Sequence, residues 1–500
     1  MWLMIILSST ILYVIAHVSF HFLKQYYKNL PPGPVPFPII GNLHLLGSSP
    51  HVSMKQISRK YGDIYRIHFG SELAIVVTQI DLALEGLIQK GVDFAGRPKT
   101  YTLDLASGNG KGIAFADYGP MWRLVRKIGH SSLRMYGDGL KNLEALIIKE
   151  SEELHKRLDQ NVGKSINPHH NIALAIMNVI CAMIFGSRYD LDDEEFLSIV
   201  NSNVTFVRAF EYDNLVDIFP LLRLLPNKRL KMIKKALAIR EPVLTRQLHE
   251  HRRKFDGESV HDLTDALIKA AQDAIEHDKQ AKEFLTDDHL YKIMDDMFGA
   301  GSETTTTTMR WAFLFFARWP EVQDIAYEAM MRKIGTARLP VVSDRADLPY
   351  VDAIVHEVLR MACIAPFAVP HKTTCDTTLG GYNIAKGTQI FFNIWAMHFD
   401  SREWDDPFVF KPERFIDESG NIVPGMQRSY LPFSAGRRVC LAELLAKVEL
   451  FLLIARMLHQ YKFLPDPDEP LPDIEGIYGL FLAPKPYRIR ITRRNTNCNL

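Results

Sequence analysis

The sequence predicts a mainly α-helical domain with a small β-rich lobe toward its N-terminus, preceded by an N-terminal transmembrane helix. Three observations carry that expectation. Apolar residues recur at helical spacing along most of the chain, and short alternating runs occur only near its front and back. Hydrophobic side chains make up 47% of the 500 residues, enough to bury a large core. Residues 1–23 contain no Lys, Arg, Asp or Glu.

As a helix, that first apolar run spans roughly 35 Å at about 1.5 Å per residue, the thickness of a bilayer core. Lys24 and Lys28 follow it and favour a cytosolic location for what comes next. A cleaved signal peptide is the competing reading, but the basic leading region is missing and the apolar run is long. Residues 24–38 form a basic and proline-rich hinge, with Pro31, Pro32, Pro34, Pro36 and Pro38 enforcing a stiff extended spacer. The main globular domain then covers 39–494, and 495–500 is a C-terminal tail.

Residues 64–69 and 74–77, joined across Gly70, read as a hairpin. The stretch 99–116, rich in Gly, Ser and Asn, reads as a long loop of the kind that often serves function. Helical patterns follow over 117–135, 139–160, 168–186, 192–210 and 227–254. Residues 215–226 are apolar, contain Pro220 and Pro226, and precede Lys228, Arg229, Lys231, Lys234 and Lys235. They are either a core loop beside a solvated basic face or a second membrane contact. The polar region 257–282 reads as a surface helix with a linker. The longest helix covers 287–319, another covers 441–461, and 474–491 resembles a terminal hairpin.

A formal net charge of +1 gives no reason to expect nucleic acid. The five cysteines (Cys181, Cys363, Cys375, Cys440 and Cys498) are scattered and odd in number, without zinc-like spacing. That pattern fits a reducing compartment without a disulfide framework.

The motif nearest to chemistry is Phe433, Gly436, Arg437, Arg438 and Cys440 running straight into a helix. A thiol at a helix N-terminus beside arginines favours its thiolate, and a thiolate in an apolar loop is a good axial ligand for haem iron. A buried structural cysteine is the alternative. In the longest helix, Gly299 and Gly301 stand just before Thr304, Thr305, Thr306, Thr307 and Thr308. Such a segment bends, its hydroxyls bond back to carbonyls, and Glu303 beside Thr304 can relay protons into the pocket formed. A threonine-rich surface face is the alternative. Glu357 and Arg360 lie three apart on an apolar helix, ordinarily a weak surface pair, and Arg414 is available to the same carboxylate. Trp122 and Arg126, four apart, put an indole donor and a guanidinium on one face, suited to a ligand carboxylate.

Together, in this order, these motifs resemble the cytochrome P450 superfamily of haem-thiolate monooxygenases over essentially the whole chain. The resemblance implies the cytochrome P450 fold, with Cys440 as the proximal ligand of haem b. Arg97, Trp122, Arg126, His371 and Arg438 would hold the propionates, and Glu357, Arg360 and Arg414 would form a buried triad that locks the fold. Glu303 and Thr304 would deliver protons to bound O2. No flavin or nicotinamide motif is present, so electrons would come from NADPH through NADPH–cytochrome P450 reductase, with cytochrome b5 as a second candidate partner. Arg123, Lys127, Arg437 and Lys447 offer a basic face for such partners, or an ordinary solvated one. The implied location is the endoplasmic reticulum membrane, single-pass, with the catalytic domain in the cytosol. Ala442 stands where the family usually has glycine.

Within the superfamily the chain is most similar to the steroid 17α-hydroxylase/17,20-lyase family, through residues 93–98, 102–117, 215–220, 298–306 and 369–373. That likeness implies a steroid substrate such as progesterone or pregnenolone. Asn203 would bond the A-ring oxygen and Arg240 would support it, while Ala106, Val207, Phe210 and Ala300 would face the substrate. Phe206, Val207 and Phe210 are bulkier than the family pattern, and Arg208 adds a charge. His356 replaces an arginine associated with cytochrome b5, which favours hydroxylation over lyase activity. The alternatives are the same chemistry on a xenobiotic, fatty acid or terpene, a non-oxidative haem-thiolate isomerase or dehydratase, and a haem-binding sensor. The Glu303–Thr304 pair argues against the isomerase.

Overall fold

The computed structural model describes residues 28–137, 140–210, 215–423 and 427–494, together with positions 13, 16, 17, 19 and 20. Most of the expected transmembrane segment 1–23, and the tail 495–500, lie outside the described residues. Among the described residues no helix is long and apolar enough to cross a membrane.

Among the described residues, ten α-helices of at least fourteen residues build the body: α1 Pro120–Gly137, α2 Leu140–Asp159, α3 His169–Phe185, α4 Glu194–Arg208, α5 Lys228–Lys254, α6 Leu263–His277, α7 Asp287–Arg318, α8 Pro320–Lys333, α9 Pro349–Ala362 and α10 Glu443–Gln460. Their starts are written locally. The side chains of Asp193, Asn227 and Asp262 accept the backbone N–H of Phe196, Leu230 and Asp265, capping α4, α5 and α6. Pro320 and Pro349 occupy first-turn positions of α8 and α9, where no N–H is needed.

The β lobe is a four-stranded sheet in the order β1-β2-β4-β3, with β1 Ile64–Phe69, β2 Glu72–Val77, β3 His371–Lys372 and β4 Gln389–Phe392. β1 and β2 form the expected hairpin, and β4 joins β2 in parallel from three hundred residues downstream. The sheet therefore ties the front of the chain to the segment leading into the cysteine loop.

Several expectations need correction. The proline run is not a free spacer. Pro31, Pro34 and Pro36 are buried, and Arg66 donates its backbone N–H to Pro32 O (2.7 Å) and a guanidinium N–H to Pro31 O (2.7 Å). The folded body thus begins near residue 31. The loop 99–116 contains a short helix, Tyr101–Ser107, capped by Thr100. α6 is no surface helix, because Leu263, Ala266, Leu267, Ile268, Ala270 and Ala271 are buried on its inner face. The C-terminal strand Ile489–Arg493 pairs with Tyr461–Pro465 and with Ser165–Ile166, so the expected hairpin is only an isolated bridge between Ile477 and Ala483.

α7 runs through the centre. Trp311, Phe313, Phe315 and Phe316 are fully buried along its C-terminal half, and α3 packs against its middle. A Cβ at Gly301 would come within 2.8 Å of the Ile180 Cδ1 methyl, so α3 lies close against the helix here. The threonine-rich stretch is helical throughout, and three of its hydroxyls are satisfied one turn back: Thr304 Oγ1 donates to Ala300 O (2.6 Å), Thr306 to Ser302 O (2.7 Å) and Thr308 to Thr304 O (2.8 Å).

Candidate active site

The cysteine loop is folded onto the short helical turn Glu85–Gln89. Gly436 has φ +72°, and a Cβ there would overlap the carbonyl oxygen of Leu87. Only glycine permits this contact. The loop closes on itself where Cys440 N–H donates to Phe433 O (3.0 Å), and α1 braces it where Arg126 donates to Val439 O (2.7 Å). Cys440 is exposed, although protein surrounds it closely. Burial pushes its thiol upward, against the lowering effect of the Ala442 N–H and of Arg126. The Ala442 N–H belongs to the N-cap position of α10, which begins at Glu443, so the helix start acts on the thiol through that one amide.

α7 packs against α10, the helix that follows this loop. Ala300 is exposed and Gly301 and Thr304 half-buried, within a helix whose neighbouring positions 302, 303 and 305–309 are buried. Spacings of one and four residues place all three on one face.

A group of cations stands beside the loop. Arg97 donates to Val369 O (2.7 Å) and Pro370 O (3.0 Å), and Arg438 to Ala95 O (2.7 Å) and Ala116 O (2.8 Å). Burial, then the charge of Arg438 and Arg126, push the Arg97 guanidinium well below its ordinary range, and burial lowers Arg438 to about 9. Asp117 is the carboxylate in this group, and it is already paired with Lys372 (2.7 Å). His371 faces Phe94 O through Nδ1 (2.7 Å), and its Nε2 is buried without a partner. Excess buried positive charge and an orphaned imidazole nitrogen fit a dianionic group such as haem propionates. A carboxylate against Nε2 would draw a proton onto it and be held by it. Trp122 departs from expectation. Its Nε1–H donates to Ile113 O (3.0 Å), and its ring lies 4.0 Å beneath the Arg438 guanidinium, so it braces that arginine.

Glu357 and Arg360 are no surface pair. Both side chains are fully buried, with bidentate bonds of 2.7 and 2.9 Å. Arg414 and the Lys411 N–H add bonds of 3.1 and 2.9 Å to the same carboxylate. Arg360 also donates to His398 O (2.7 Å), and His398 Nε2 accepts the N–H of Leu431 (2.9 Å). The triad is thus connected to the start of the cysteine loop.

Glu303 and Thr304 face different ways. Thr304 lies on the open face of α7, whereas Glu303 is buried, accepting bonds from Asn203 Nδ2 (3.3 Å) and Thr307 Oγ1 (3.4 Å). Desolvation raises its carboxyl to about 7. Ala106 and Phe206 gather with Ala209, Ile233 and Ala236, and Val207, Phe210 and Leu480 pack against them. Arg240 stands over the Phe206 ring (5.1 Å) and pairs with Asp295 (2.7 Å).

Sequence reasoning missed the network around that pair. Lys292 reaches Asp295 (3.3 Å) and Ala106 O (3.1 Å), while Asp296 accepts the N–H of Ile113 and of Ala114 (3.0 Å). Because Ile113 O receives Trp122 and Arg438, Asp296 connects α7 to the cation group. Three charges within five residues of a central helix were the available signal.

A thiol-bearing loop beside a cation group that holds a single carboxylate and an orphaned imidazole nitrogen fits a haem-thiolate site. The chain belongs to the cytochrome P450 family, whose model matches residues 31–491, and it is accordingly a haem monooxygenase that uses O2 and externally supplied electrons. It is 40% identical over 460 residues to a steroid 17-alpha-hydroxylase/17,20 lyase of Gallus gallus, covering 91% of each chain. It is 35% identical to the Homo sapiens protein of that name, over 93% of this chain and 92% of the other. Among solved structures it is similar to a zebra fish cytochrome P450 with progesterone, with TM-score 0.80 and 35% identity over 89% of this chain and 99% of the other. A second zebra fish structure, with abiraterone, gives TM-score 0.79, covering 90% and 100%.

Proposed function

We propose that the chain is a membrane-anchored steroid hydroxylase that inserts one atom of O2 at C17 of a progesterone- or pregnenolone-like substrate, using electrons from NADPH through cytochrome P450 reductase. The observation that carries this reading is the join of an apolar cluster, Ala106 with Phe206 and Phe210, to a buried amide, Asn203, beside α7. A rigid, largely apolar molecule with one polar end is the chemical complement of that surface. The names of the similar proteins point to the same substrate class.

Bound haem supplies the oxidising chemistry, and the side chains do the rest. Cys440 is the iron ligand, and Arg97, Arg126, Arg438 and His371 hold the propionates, with Trp122 bracing Arg438. Thr304 Oγ1 is the hydroxyl from which a proton leaves the protein, and Glu303, ionising near neutrality, replenishes it by turning from Asn203 toward the open face. Glu357, Arg360 and Arg414 keep the cysteine loop in register. The catalytic domain ends near residue 494.

Leu221, Leu224 and Ile39 are among the most exposed large apolar side chains, at 79%, 82% and 81%. Phe219 and the Ile39 carbonyl both approach Gly70, so the two apolar segments adjoin. With the lysines of α5 beside them, they form the second membrane contact, next to a segment 1–23 that anchors the chain in the endoplasmic reticulum. Exposed Arg123, Lys127 and Arg437 meet the reductase. His356 is buried, bonds Tyr430 (2.9 Å), and is pushed by burial to about 4. Being neutral, it offers no surface cation to cytochrome b5, so hydroxylation dominates over lyase activity.

The test is titration of the ferric protein with progesterone and pregnenolone, followed at the Soret band, with chromatography of the turnover products. A low-spin to high-spin shift and 17-hydroxylated product support the reading. Normal thiolate spectra without any steroid shift would remove steroids as the substrate class.

A further inference from the structure

Ser302 is fully enclosed, and its hydroxyl proton is committed within its own helix, where Oγ donates to Phe298 O (2.8 Å). What Oγ offers outward is a lone pair. Asn203, across from it on α4, answers with its amide nitrogen, and Nδ2 donates to Ser302 Oγ (3.1 Å) and to Glu303 Oε2 (3.3 Å). Ser302 Oγ accepts because its proton is spent on Phe298 O, and Glu303 accepts when ionised, so with Glu303 ionised the amide has one satisfactory orientation. Turning it over would set Oδ1 against an oxygen lone pair and a carboxylate, in a place where Asn203 is only 3% exposed. Buried donors and acceptors left in that state are strongly disfavoured.

The consequence falls on the other end of the amide. Among the described residues, no hydrogen bond reaches Asn203 Oδ1, and that oxygen is not among the fully enclosed unpartnered atoms. Phe206, one turn on, leads directly into the apolar cluster with Ala106 and Ile233. The polar end of the site therefore presents an acceptor, whereas an unconstrained asparagine could serve a donor or an acceptor equally.

We propose that Ser302 is a specificity-determining residue, which by fixing the Asn203 amide makes the site select substrates carrying a hydroxyl donor over those carrying a ketone at the same position. This rests on the steroid reading above, and within it assigns 3-hydroxy steroids as the favoured class over 3-oxo steroids. A hydroxyl donates to Oδ1 directly. A ketone sets two acceptors face to face and must recruit a water or forgo the bond.

The experiment compares pregnenolone (3-hydroxyl) with progesterone (3-ketone) by Soret titration of the haem-loaded, full-length protein and of its Ser302→Val and Ser302→Thr variants. The native protein is expected to bind pregnenolone about tenfold more tightly, the scale of one hydrogen bond. Ser302→Val, which removes one of the two acceptors, reduces that ratio several-fold. Ser302→Thr keeps the hydroxyl and keeps the ratio, which separates amide orientation from a general disturbance of α7. Equal affinities in the native protein, a preference for the ketone, or a ratio unmoved by Ser302→Val would overturn the proposal while leaving the steroid reading intact. Failure of both steroids to shift the Soret band would instead remove the steroid reading, and this inference with it.

Discussion

Replacing Glu357 by Gln preserves shape and removes one charge, which isolates what the buried triad contributes. Arg360 is fully buried and the Arg414 side chain is 8% exposed, so neither guanidinium can turn to water when its counter-charge goes. Removing one partner of a buried ion pair costs about 3–5 kcal/mol. Against a total stability of about 5–15 kcal/mol, that is roughly a fifth or more. At about 1.4 kcal/mol per factor of ten, the unfolded population rises roughly 100- to 3,000-fold. The loss also reaches the site, because Arg360 fixes His398, and His398 receives the N–H at the start of the cysteine loop. Two readouts follow: chemical denaturation monitored by circular dichroism, and haem content per polypeptide from the ferrous carbon monoxide complex. Glu153→Gln serves as the control, since its pair with Lys156 is solvent-exposed and worth about 0–1 kcal/mol. Equal denaturation midpoints and equal haem content in the two variants would refute the reasoning.

Thr304→Ala should retain haem and substrate binding but divert reducing equivalents to peroxide, measured as peroxide formed per NADPH consumed; unchanged coupling would count against its proton role. Glu303 is raised to about 7 by desolvation, so turnover that needs its proton falls as pH climbs through 7. Glu303→Gln should flatten that limb of the pH–rate profile, and a profile with the native limb would remove Glu303 from the relay. Glu449 on α10 is buried, meets Thr305 Oγ1 (3.4 Å), and is raised to about 8, mainly by desolvation. Its folded-state value lies above its unfolded one, so the folded state holds the proton more tightly and stability declines as pH rises from about 4.5 through 8. Glu449→Gln should therefore be more stable than the native protein above pH 8 and similar at pH 5, as denaturation midpoints at the two values would report. Arg438→Leu should lower haem retention, assayed by the ratio of Soret to protein absorbance, because it strips a cation from the group around His371 Nε2.

The helices were legible because periodicity and caps are local. The pattern over 227–254 sits one residue from the observed Lys228–Lys254, with Asn227 as its cap. The burial of α6 was not legible because three of its buried residues are alanines and Thr264 and Asp265 are buried with them, and composition alone does not reveal that neighbours close over it. The proline run was legible as extended but not as packed, since its partner Arg66, through main chain and guanidinium, lies 35 residues from Pro31. At the site, the family resemblance singled out Cys440, Arg438 and Glu357. The sequence could not reveal that Trp122 turns its N–H to Ile113, that Glu303 and Thr304 diverge, or that Asn203 Nδ2 donates to Ser302. Those facts depend on which neighbour reaches a polar atom first, and only the tertiary arrangement decides that.

The central claim is that Cys440 is the axial thiolate, and the ferrous carbon monoxide spectrum of Cys440→Ala tests it most directly. The account predicts that the native protein gives the long-wavelength Soret band of a thiolate-bound haem and that the variant loses it, while circular dichroism shows the helical fold retained. A folded Cys440→Ala protein that kept the thiolate-type band would contradict the account.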